Sequence, residues 1–296
     1  MRAANVGTVP LPNGMIESSM WKKAPPLRVR LRHPGGHSIT AEIRAISDGR
    51  AMSILVGWPD QTESVLKRAW VRRSGSAPWQ LEEIANDRLW LLFPLTKDAP
   101  KDLYRPPEAR YDLWEWQSAW TDKSGYADDG LLETKFSKEP PKDKAAVRYP
   151  NAAGAGFIEQ VWKRDAGEPG TVSMPMPSAL DMKTFERAAM SNPDANGSAI
   201  DVRATGKFGK QYQKANTYYT DSKGRTPGYW FGDKTGEERP GSYFVEFYRM
   251  MITADDEDVQ FKDNGPYRFQ LAVIDNKSGV QPFLSPPLRL EFELDR

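Results

Sequence analysis

Short segments in which apolar and polar residues alternate are the feature that most limits what this chain can fold into. The segments LRVRLRH (27–33), SYFVEFYRMMIT (242–253) and LRLEFEL (288–294) all alternate in this way. A two-residue period is typical of a β-strand with one buried and one solvated face. Asp48-Gly49 stands between two further strand-like segments and predicts a tight hairpin turn. We therefore expect an all-β protein, built as an antiparallel β-sandwich.

The segments divide the chain into an arm and one domain. Residues 1–26 read as an extended, proline-containing arm around Trp21, and residues 27–296 as a single β-sandwich domain. At about 131–242 we expect a long loop-rich insertion, dense in Pro, Gly, Lys and Asp. Within it, SALDMKTFERAAM (178–190) predicts a short helix, because its apolar residues share one stripe. The polar segment 207–233 has too little periodicity for a core strand.

Composition excludes several classes of function. Lys and Arg total 41 against 40 Asp and Glu, so the net charge of +1 gives no general attraction to nucleic acid. The absence of cysteine excludes thiolate metal sites, iron–sulfur clusters and covalent heme attachment within this chain. With only two histidines, His33 and His37, a histidine-rich metal centre is excluded as well. We expect no membrane span, since no run approaches the roughly 20 apolar residues required, and no signal peptide is visible.

Several blocks, taken in order, carry a resemblance to a known family. They are ISDGRAMSILVGWPD (46–60), NDRLWLLFP (86–94), YDLWEWQSAW (111–120) and SYFVEFYRMMITADDEDVQF (242–261), followed by YRFQLAVID (267–275). Together they resemble the heme b-binding gamma subunit of ethylbenzene dehydrogenase and of related molybdenum oxidoreductases, such as nitrite oxidoreductase and selenate and chlorate reductases. The resemblance covers about 20–120 and 240–296 well and the middle poorly.

The resemblance implies a β-sandwich that holds one heme b noncovalently and passes single electrons. Such a subunit sits beside an iron–sulfur subunit and a molybdopterin subunit, in the periplasm or another extracytoplasmic compartment. The chemistry then belongs to the partner, and this chain is an accessory subunit rather than an enzyme.

This chain departs from the family at both axial-ligand positions. In the family, a Met before a Phe-Pro pair and a Lys opening the late strand bind the iron. Those positions here hold Leu92 and Arg268. Leucine has no donor atom, and an arginine that stays protonated is a poor metal ligand. Where relatives place a His in the Trp-x-Trp block, this chain has Glu115.

Other residues are weaker candidates for binding iron. They are Met52, Met251, Lys262 and Tyr267. Alternation places Met250 and Met251 on opposite faces of their strand, so one of them faces inward. The commoner role of a buried methionine is packing, and that of a turn lysine is solvation.

The two histidines, Arg268 and the arginines of LRVRLRH each have two possible interpretations. His33 and His37 flank a Gly-Gly turn and are available to a metal only if that turn folds over a pocket. Arg268 has the geometry to bind a heme propionate, although a strand-end ion pair with Asp263 or Asp275 is the commoner arrangement. The arginines of LRVRLRH are interpreted as a solvated strand face rather than a phosphate site.

The loss of both ligand types favours a heme-free subunit kept for structure or assembly, so we expect either no cofactor or heme b. Aromatic residues of the insertion are the interface candidates, because Tyr and Trp are enriched in interface hot spots. They are Tyr212, Tyr218, Tyr219, Tyr229 and Trp230. The expected partners are the iron–sulfur and molybdopterin subunits, or further copies of this chain. Two alternatives stay open: a working heme b subunit with non-standard ligands, and a carbohydrate-binding β-sandwich, for which Trp58-Pro59-Asp60 is the motif.

Overall fold

The structure is a computed structural model, and it describes part of the 296 residues. The described residues are 1–10, 18–60, 69–72, 80–82, 86–95, 109–118, 127–137, 150–151, 154–155, 157–164, 170–171, 198–201, 204–205, 214–220, 241–253, 256–275 and 282–293. In 69–72, 80–82, 128–130, 133–137 and the described strands between 150 and 220, only the backbone is described. The predicted helix at 178–190 lies outside the described residues.

Almost every described element is a β-strand. The longer strands are β2 (Leu27–Arg32), β3 (Ser38–Ser47), β4 (Ala51–Asp60), β7 (Arg88–Pro94), β8 (Ala109–Gln117), β9 (Asp128–Ser137), β12 (Phe157–Arg164), β16 (Lys214–Thr220), β17 (Gly241–Met250) and β18 (Tyr267–Ile274). The shorter ones are β1 (Ala4–Asn5), β5 (Ala69–Arg72), β6 (Gln80–Glu82), β10 (Pro150–Asn151), β11 (Gly154–Ala155), β13 (Gly170–Thr171), β14 (Ser198–Asp201), β15 (Ala204–Thr205), β19 (Phe283–Leu284) and β20 (Leu288–Leu290). One helix, α1 (Ser18–Trp21), lies among the described residues. The expectation of an all-β protein is confirmed.

The main sheet has 13 strands and curls on itself. Its order is β12-β9-β8-β7-β18-β19-β2-β3-β4-β17-β16, with β1 beside β3 and β20 beside β18. The strands along this path are antiparallel, whereas β1 joins β3 in parallel. Three small sheets, β10-β11, β13-β15 and β14-β5-β6, complete the described strands.

The curl brings two layers face to face, and aromatic rings fill the space between them. Trp116 of β8 lies 5.9 Å from Trp58 of β4 and 5.3 Å from Tyr243 of β17, measured between ring centroids. Trp114 lies 6.2 Å from Phe247 in the same way. The layer β18-β7-β8 therefore packs against β2-β3-β4-β17, as in a β-sandwich.

Strand alternation divides the residues of β7 between two buried faces. Leu89, Leu91 and Phe93 enter the main core between the layers. Trp90 and Leu92 point the other way, into a second cluster, which we call the outer cluster. Its members are Trp90, Leu92, Ala109, Tyr111, Leu113, Leu132, Ala272, Ile274 and Leu284. Burial on both faces explains why NDRLWLLFP reads as a continuous apolar run.

The N-terminal arm packs against the sandwich instead of extending from it. Val6, Val9, Trp21 and Ala24 form a buried cluster with residues on the outer side of β3 and β4. The backbone N–H of Ala3 donates to the carbonyl of Glu291 at 2.8 Å, so the arm also reaches the residue after β20. Because its apolar side chains cover an otherwise exposed sheet face, the arm is part of the fold.

The region predicted as an insertion supplies strands to both ends of the main sheet. β12 pairs with β9 over eight residues, and β16 pairs with β17 over seven. The segment around Lys214–Thr220 was expected to lack a core strand, and the structure places it as the last strand of the path. A polar sequence is tolerated there because an edge strand shares only one of its sides with a neighbour.

The Asp48-Gly49 hairpin forms as predicted and is fixed by one carboxylate. Asp48 accepts hydrogen bonds from the backbone N–H groups of Arg50 at 2.9 Å, Ala51 at 2.8 Å and Val9 at 2.9 Å. Gly49 has φ of 81°, which a residue without a side chain adopts at little cost. Asp48 thus joins the turn to the N-terminal arm.

We expect Asp48→Ala to lower the free energy of unfolding by about 1–2 kcal/mol, because three N–H groups lose a charged acceptor. Burial raises the pKa of Asp48, but the hydrogen bonds from Val9, Ala51 and Arg50 outweigh this effect and leave the pKa lowered. A lowered pKa stabilises the fold above the unfolded value near 3.8, and this stabilisation is lost as the pH falls. Urea unfolding at pH 7 and pH 3 tests both statements, with the exposed Asp256→Ala as control. Equal stability of the two variants at pH 7 would contradict the role given to Asp48.

Candidate functional site

Leu92, which the resemblance matches to the first axial ligand of the family, lies deep in the outer cluster. Leu92 is fully buried, and its cross-strand neighbours are Gln270 on β18 and Leu113 on β8. A residue in this position is surrounded by apolar side chains, and leucine offers no atom that a metal accepts.

The second position, Arg268, lies on the same face of the sheet. Alternation along β18 places Arg268, Gln270 and Ala272 on one side, and Ala272 belongs to the outer cluster. Arg268 is exposed and stands opposite Arg289 of β20. Leu92 and Arg268 thus lie on one face of the sheet, and neither side chain is suited to binding iron.

The ion pair expected for Arg268 is absent, so that prediction was wrong. Among the described residues, Arg268 forms no salt bridge with Asp263 or Asp275. The Asp263 carboxylate instead accepts the N–H of Gly265 at 2.9 Å and the hydroxyl of Tyr267 at 2.9 Å. Tyr267 lies on the other side of β18 from Arg268, which explains why Asp263 turns away from the arginine.

Glu115 occupies the third altered position and belongs to the outer side of β8. Its Oε1 accepts a hydrogen bond from the indole Nε1 of Trp90 at 2.9 Å, and both residues are buried. The carboxylate therefore satisfies a buried donor at the border of the outer cluster.

The methionine candidates lie on the wrong side of the sheet to meet Leu92. Met52 and Met251 are both buried in the main core. The hydroxyl of Ser47 approaches the sulfur of Met251 at 3.2 Å. Met250 is 46% exposed, so the two adjacent methionines do point in opposite directions. A sheet separates the sulfur atoms of Met52 and Met251 from the outer cluster.

The remaining candidates do not converge on a common point. The Tyr267 hydroxyl donates a hydrogen bond to the Asp263 carboxylate. The pKa of Tyr267 is raised, mainly by burial and also by its interaction with Asp263. Lys262 is exposed beside that turn. In the turn that follows β2, the Nδ1 atom of His33 accepts a hydrogen bond from the backbone N–H of Gly35 at 2.9 Å. The ring centroids of His33 and His37 are 6.3 Å apart.

A heme with two axial ligands does not fit this set of donors. None of the candidate side chains Met52, Met251, Lys262 and Tyr267 belongs to the outer cluster that contains Leu92. Six-coordinate heme b needs two donors on opposite sides of one iron. The residues present at the family positions supply neither donor.

Sequence reasoning missed a buried ionic cluster at the end of β17. Arg249 is fully buried and donates to Asp112 Oδ2 at 2.6 Å, and it forms an ion pair with Asp258 Oδ2 at 3.0 Å. It also donates to the carbonyl of Val259 at 3.0 Å, and the Val259 N–H donates to Asp112 at 2.8 Å. The sequence did contain a signal for it, because alternation in SYFVEFYR places Arg249 on the same inward face as Val245 and Phe247. The cluster attaches the loop after β17 to strand β8.

A second group of acids lies where three strands begin or end. Asp60 at the end of β4, Asp87 before β7 and Asp275 after β18 have carboxylate oxygens within 4.8 Å of one another. Asp60 and Asp87 are buried. Carboxylate oxygens at this spacing are the ligand type that hard cations use.

A large cavity opens between β2 and the segment 284–288. Its volume is about 700 Å³. We call it the arginine cleft, because Arg28, Arg30 and Arg32 line one wall, with His33 at one end and the Pro286-Pro287 pair opposite. Gln270, the cross-strand neighbour of Leu92, also lines it.

The tryptophans offer no exposed platform for a sugar where their side chains are described. The side chains of Trp21, Trp58, Trp90, Trp114 and Trp116 are all buried. The Trp58-Pro59-Asp60 motif thus places its indole in the main core, where it stacks 5.1 Å from Tyr243. A carbohydrate-binding face would need aromatic rings in solvent.

Of the predicted interface residues, Tyr212, Tyr229 and Trp230 lie outside the described residues. Tyr218 and Tyr219 lie in β16, of which only the backbone is described. Within the described part, no helix is long and apolar enough to cross a membrane.

A sequence model of the family described as ethylbenzene dehydrogenase matches residues 18–281. The chain belongs to this family. Among curated proteins, none matches the chain. A solved structure from Bacteroides uniformis, provisionally described as a carbohydrate-binding protein, is 10% identical and covers 99% of this chain and 98% of its own, with a TM-score of 0.42. At that TM-score the likeness supports no argument about fold or function.

The ethylbenzene dehydrogenase family match extends across both altered ligand positions. Arg249 and Asp258 lie in the block that carried the resemblance, and the structure gives them a role in fastening a loop. The part of the chain that matches this family therefore contains the buried ion pairs of Arg249 as well as the aromatic core.

We expect Asp112 to make stability depend on pH between about 4 and 6. Burial raises the pKa of Asp112 to about 6, and the nearby Arg249 charge only partly offsets this. The folded state therefore holds this proton more tightly than the unfolded state, so the stabilisation is present below the unfolded value near 3.8 and is lost as the pH rises through about 6. A tenfold difference in proton affinity between the two states corresponds to about 1.4 kcal/mol.

The comparison of wild type with Asp112→Asn isolates this effect. From pH 4 to pH 6, the free energy of unfolding of the wild type should fall relative to that of the variant by about 2 kcal/mol. Chemical denaturation at both pH values measures it, and Asp256→Asn serves as an exposed control. A difference that stays constant or grows with pH would contradict the raised pKa.

Proposed function

We propose that this chain is a heme-free accessory subunit of a molybdenum oxidoreductase complex, in which it serves structure or assembly. Membership in the ethylbenzene dehydrogenase family supports the association with such a complex. The proposed partners are an iron–sulfur subunit and a molybdopterin subunit, in an extracytoplasmic compartment, with catalysis in the molybdopterin subunit.

One observation carries the heme-free role. Both family ligand positions are held in place by the sheet register, yet one contains a fully buried leucine and the other an exposed arginine. Leu92 is packed among eight other members of an apolar cluster, so its side chain makes apolar contacts and offers no donor to a metal. Packed apolar side chains at the site stabilise the sandwich without any cofactor.

The ends of the main sheet support a role in assembly. β12 and β16 stand at the two ends of the path, and each has a described strand partner on one side only. An open strand edge is a surface on which another chain can add a strand. The aromatic residues Tyr218 and Tyr219 lie in β16 and remain our interface candidates.

Purification from native membranes and soluble extract under mild conditions tests the proposal directly. We expect the chain to travel with a molybdopterin subunit and an iron–sulfur subunit. A spectrum of the isolated chain, after separation from its partners, should lack a Soret band. A Soret band in stoichiometric amount would overturn the heme-free role, and purification without any oxidoreductase subunit would overturn the association.

Restoring the family ligands gives a second test. We expect Leu92→Met/Arg268→Lys to gain a six-coordinate heme spectrum on titration with hemin, because both donors then stand at the positions the family uses. Leu and Met have similar volumes, so the substitution leaves the outer cluster packed at a cost below about 1.5 kcal/mol.

The matched control is Leu113→Met/Arg289→Lys, which places the same residue types at the cross-strand neighbours of the two positions. Absorption spectra of both variants and of wild type are compared at equal hemin concentration. A six-coordinate spectrum in the wild type would contradict the proposal. The same spectrum in the control would contradict the assignment of the two positions.

A further inference from the structure

The arginine cleft has features of a ligand site that the heme-free role does not use. It lies between two strands that are neighbours in the sheet order, yet β2 and β19 pair only through Arg32 and Leu284. Beyond this pair, the chain continues into Pro286 and Pro287, which have no backbone N–H to donate to β2. The two strands therefore separate, and the cavity of about 700 Å³ opens between them.

The backbone of β2 directs hydrogen-bonding groups into this opening. The N–H of His33 donates to the carbonyl of His37 at 2.9 Å, on the side of β3. Because backbone groups alternate in direction along a strand, those of Arg28 and Arg30 face away from β3, toward the cleft. Among the described residues, no backbone hydrogen bond joins Arg28 or Arg30 to the opposite wall.

The side chains add positive charge to the same opening. Val29 and Leu31 enter the main core, so Arg28, Arg30 and Arg32 share the outer face of β2. Arg30 is oriented by a hydrogen bond from its Nε to Ser38 Oγ at 2.9 Å. Within the described part of the chain, Arg32 has no salt bridge, and the single carboxylate near Arg28 is Glu42 at 3.6 Å. Glu42 is held more closely by Arg44 at 2.7 Å.

A histidine stands at one end of the cleft. His33 lines the cleft, and its Nδ1 accepts the Gly35 N–H, so in the neutral ring the proton sits on Nε2. That Nε2 atom is buried and has no hydrogen-bond partner among the described groups. Because this atom is closed to solvent, His33 shapes one end of the cleft with its ring and offers no polar contact to a ligand there.

We propose that the arginine cleft binds a small organic carboxylate with an apolar body. The guanidinium groups of Arg28 and Arg30 match the planar carboxylate geometry, and Pro286, Pro287 and Leu288 provide the apolar wall. The volume lies in the range of about 300–1,000 Å³ that small-molecule sites have. The cleft is lined by neither Leu92 nor Arg268, and the proposal does not depend on the role in assembly.

Isothermal titration calorimetry with phenylacetate tests the proposal, and phenylacetamide is the neutral probe of the same shape. We expect the wild type to bind phenylacetate and to bind phenylacetamide at least about tenfold more weakly. Inorganic sulfate should also bind more weakly than phenylacetate, because it lacks the apolar body.

The test variant is Arg28→Gln/Arg30→Gln, and the charge-matched control is Lys22→Gln/Arg50→Gln, whose residues are exposed elsewhere. We expect the test variant to lose at least about tenfold in affinity for phenylacetate and the control to match the wild type. Circular dichroism confirms that both variants fold, and backbone amide shifts of Arg28 and Arg30 locate the ligand. No binding by folded wild type, equal loss in both variants, or equal affinity for phenylacetamide would each overturn the proposal.

Discussion

The two-sided burial of β7, β8 and β18 is the constraint on which the rest of the structure depends. Each strand sends alternate side chains into the main core and into the outer cluster, so every position has a fixed face. A slip of one residue in β7 would move Phe93 outward and Leu92 inward, and both faces would lose their packing. Because both faces are apolar, the register is strongly specified, and it fixes Leu92 opposite Gln270 and Leu113.

Aromatic packing and buried ion pairs add to the rigidity that the register gives. The main core is held by contacts among Trp58, Trp114, Trp116, Tyr243 and Phe247, none of which depends on the outer cluster. The Arg249 cluster fastens the loop after β17 through groups that come from three separate parts of the chain. Burying such charges stabilises little by itself, but removing one partner is costly because the others stay buried. Loss of Arg249, Asp112 or Asp258 would therefore leave buried charges without their partners.

Local sequence patterns predicted the elements better than the contacts between them. Alternation predicted β2, β17 and β20, Asp48-Gly49 predicted the hairpin, and the adjacent Met250 and Met251 separated as the pattern requires. The pairing of Arg249 with Asp112 spans 137 residues, and no local period contains that information. An ion pair of Arg268 with Asp263 was expected because the two residues are close in sequence. The Asp263 carboxylate instead accepts hydrogen bonds from Gly265 and Tyr267. β16 was missed because its polar sequence needs only one strand neighbour.

The arginines of β2 show how one pattern can support two interpretations that are not exclusive. Alternation indicated a solvated face, and the Arg28 side chain is indeed 77% exposed. Alternation in β2 cannot predict the other wall of the arginine cleft. That wall comes from Pro286 and Pro287, which lie near the other end of the chain. These two prolines have no backbone N–H to donate, so the chain that follows β19 does not continue the pairing with β2. The arginines of β2 therefore form one side of the arginine cleft, although the same alternating charge pattern is common on solvated strand faces.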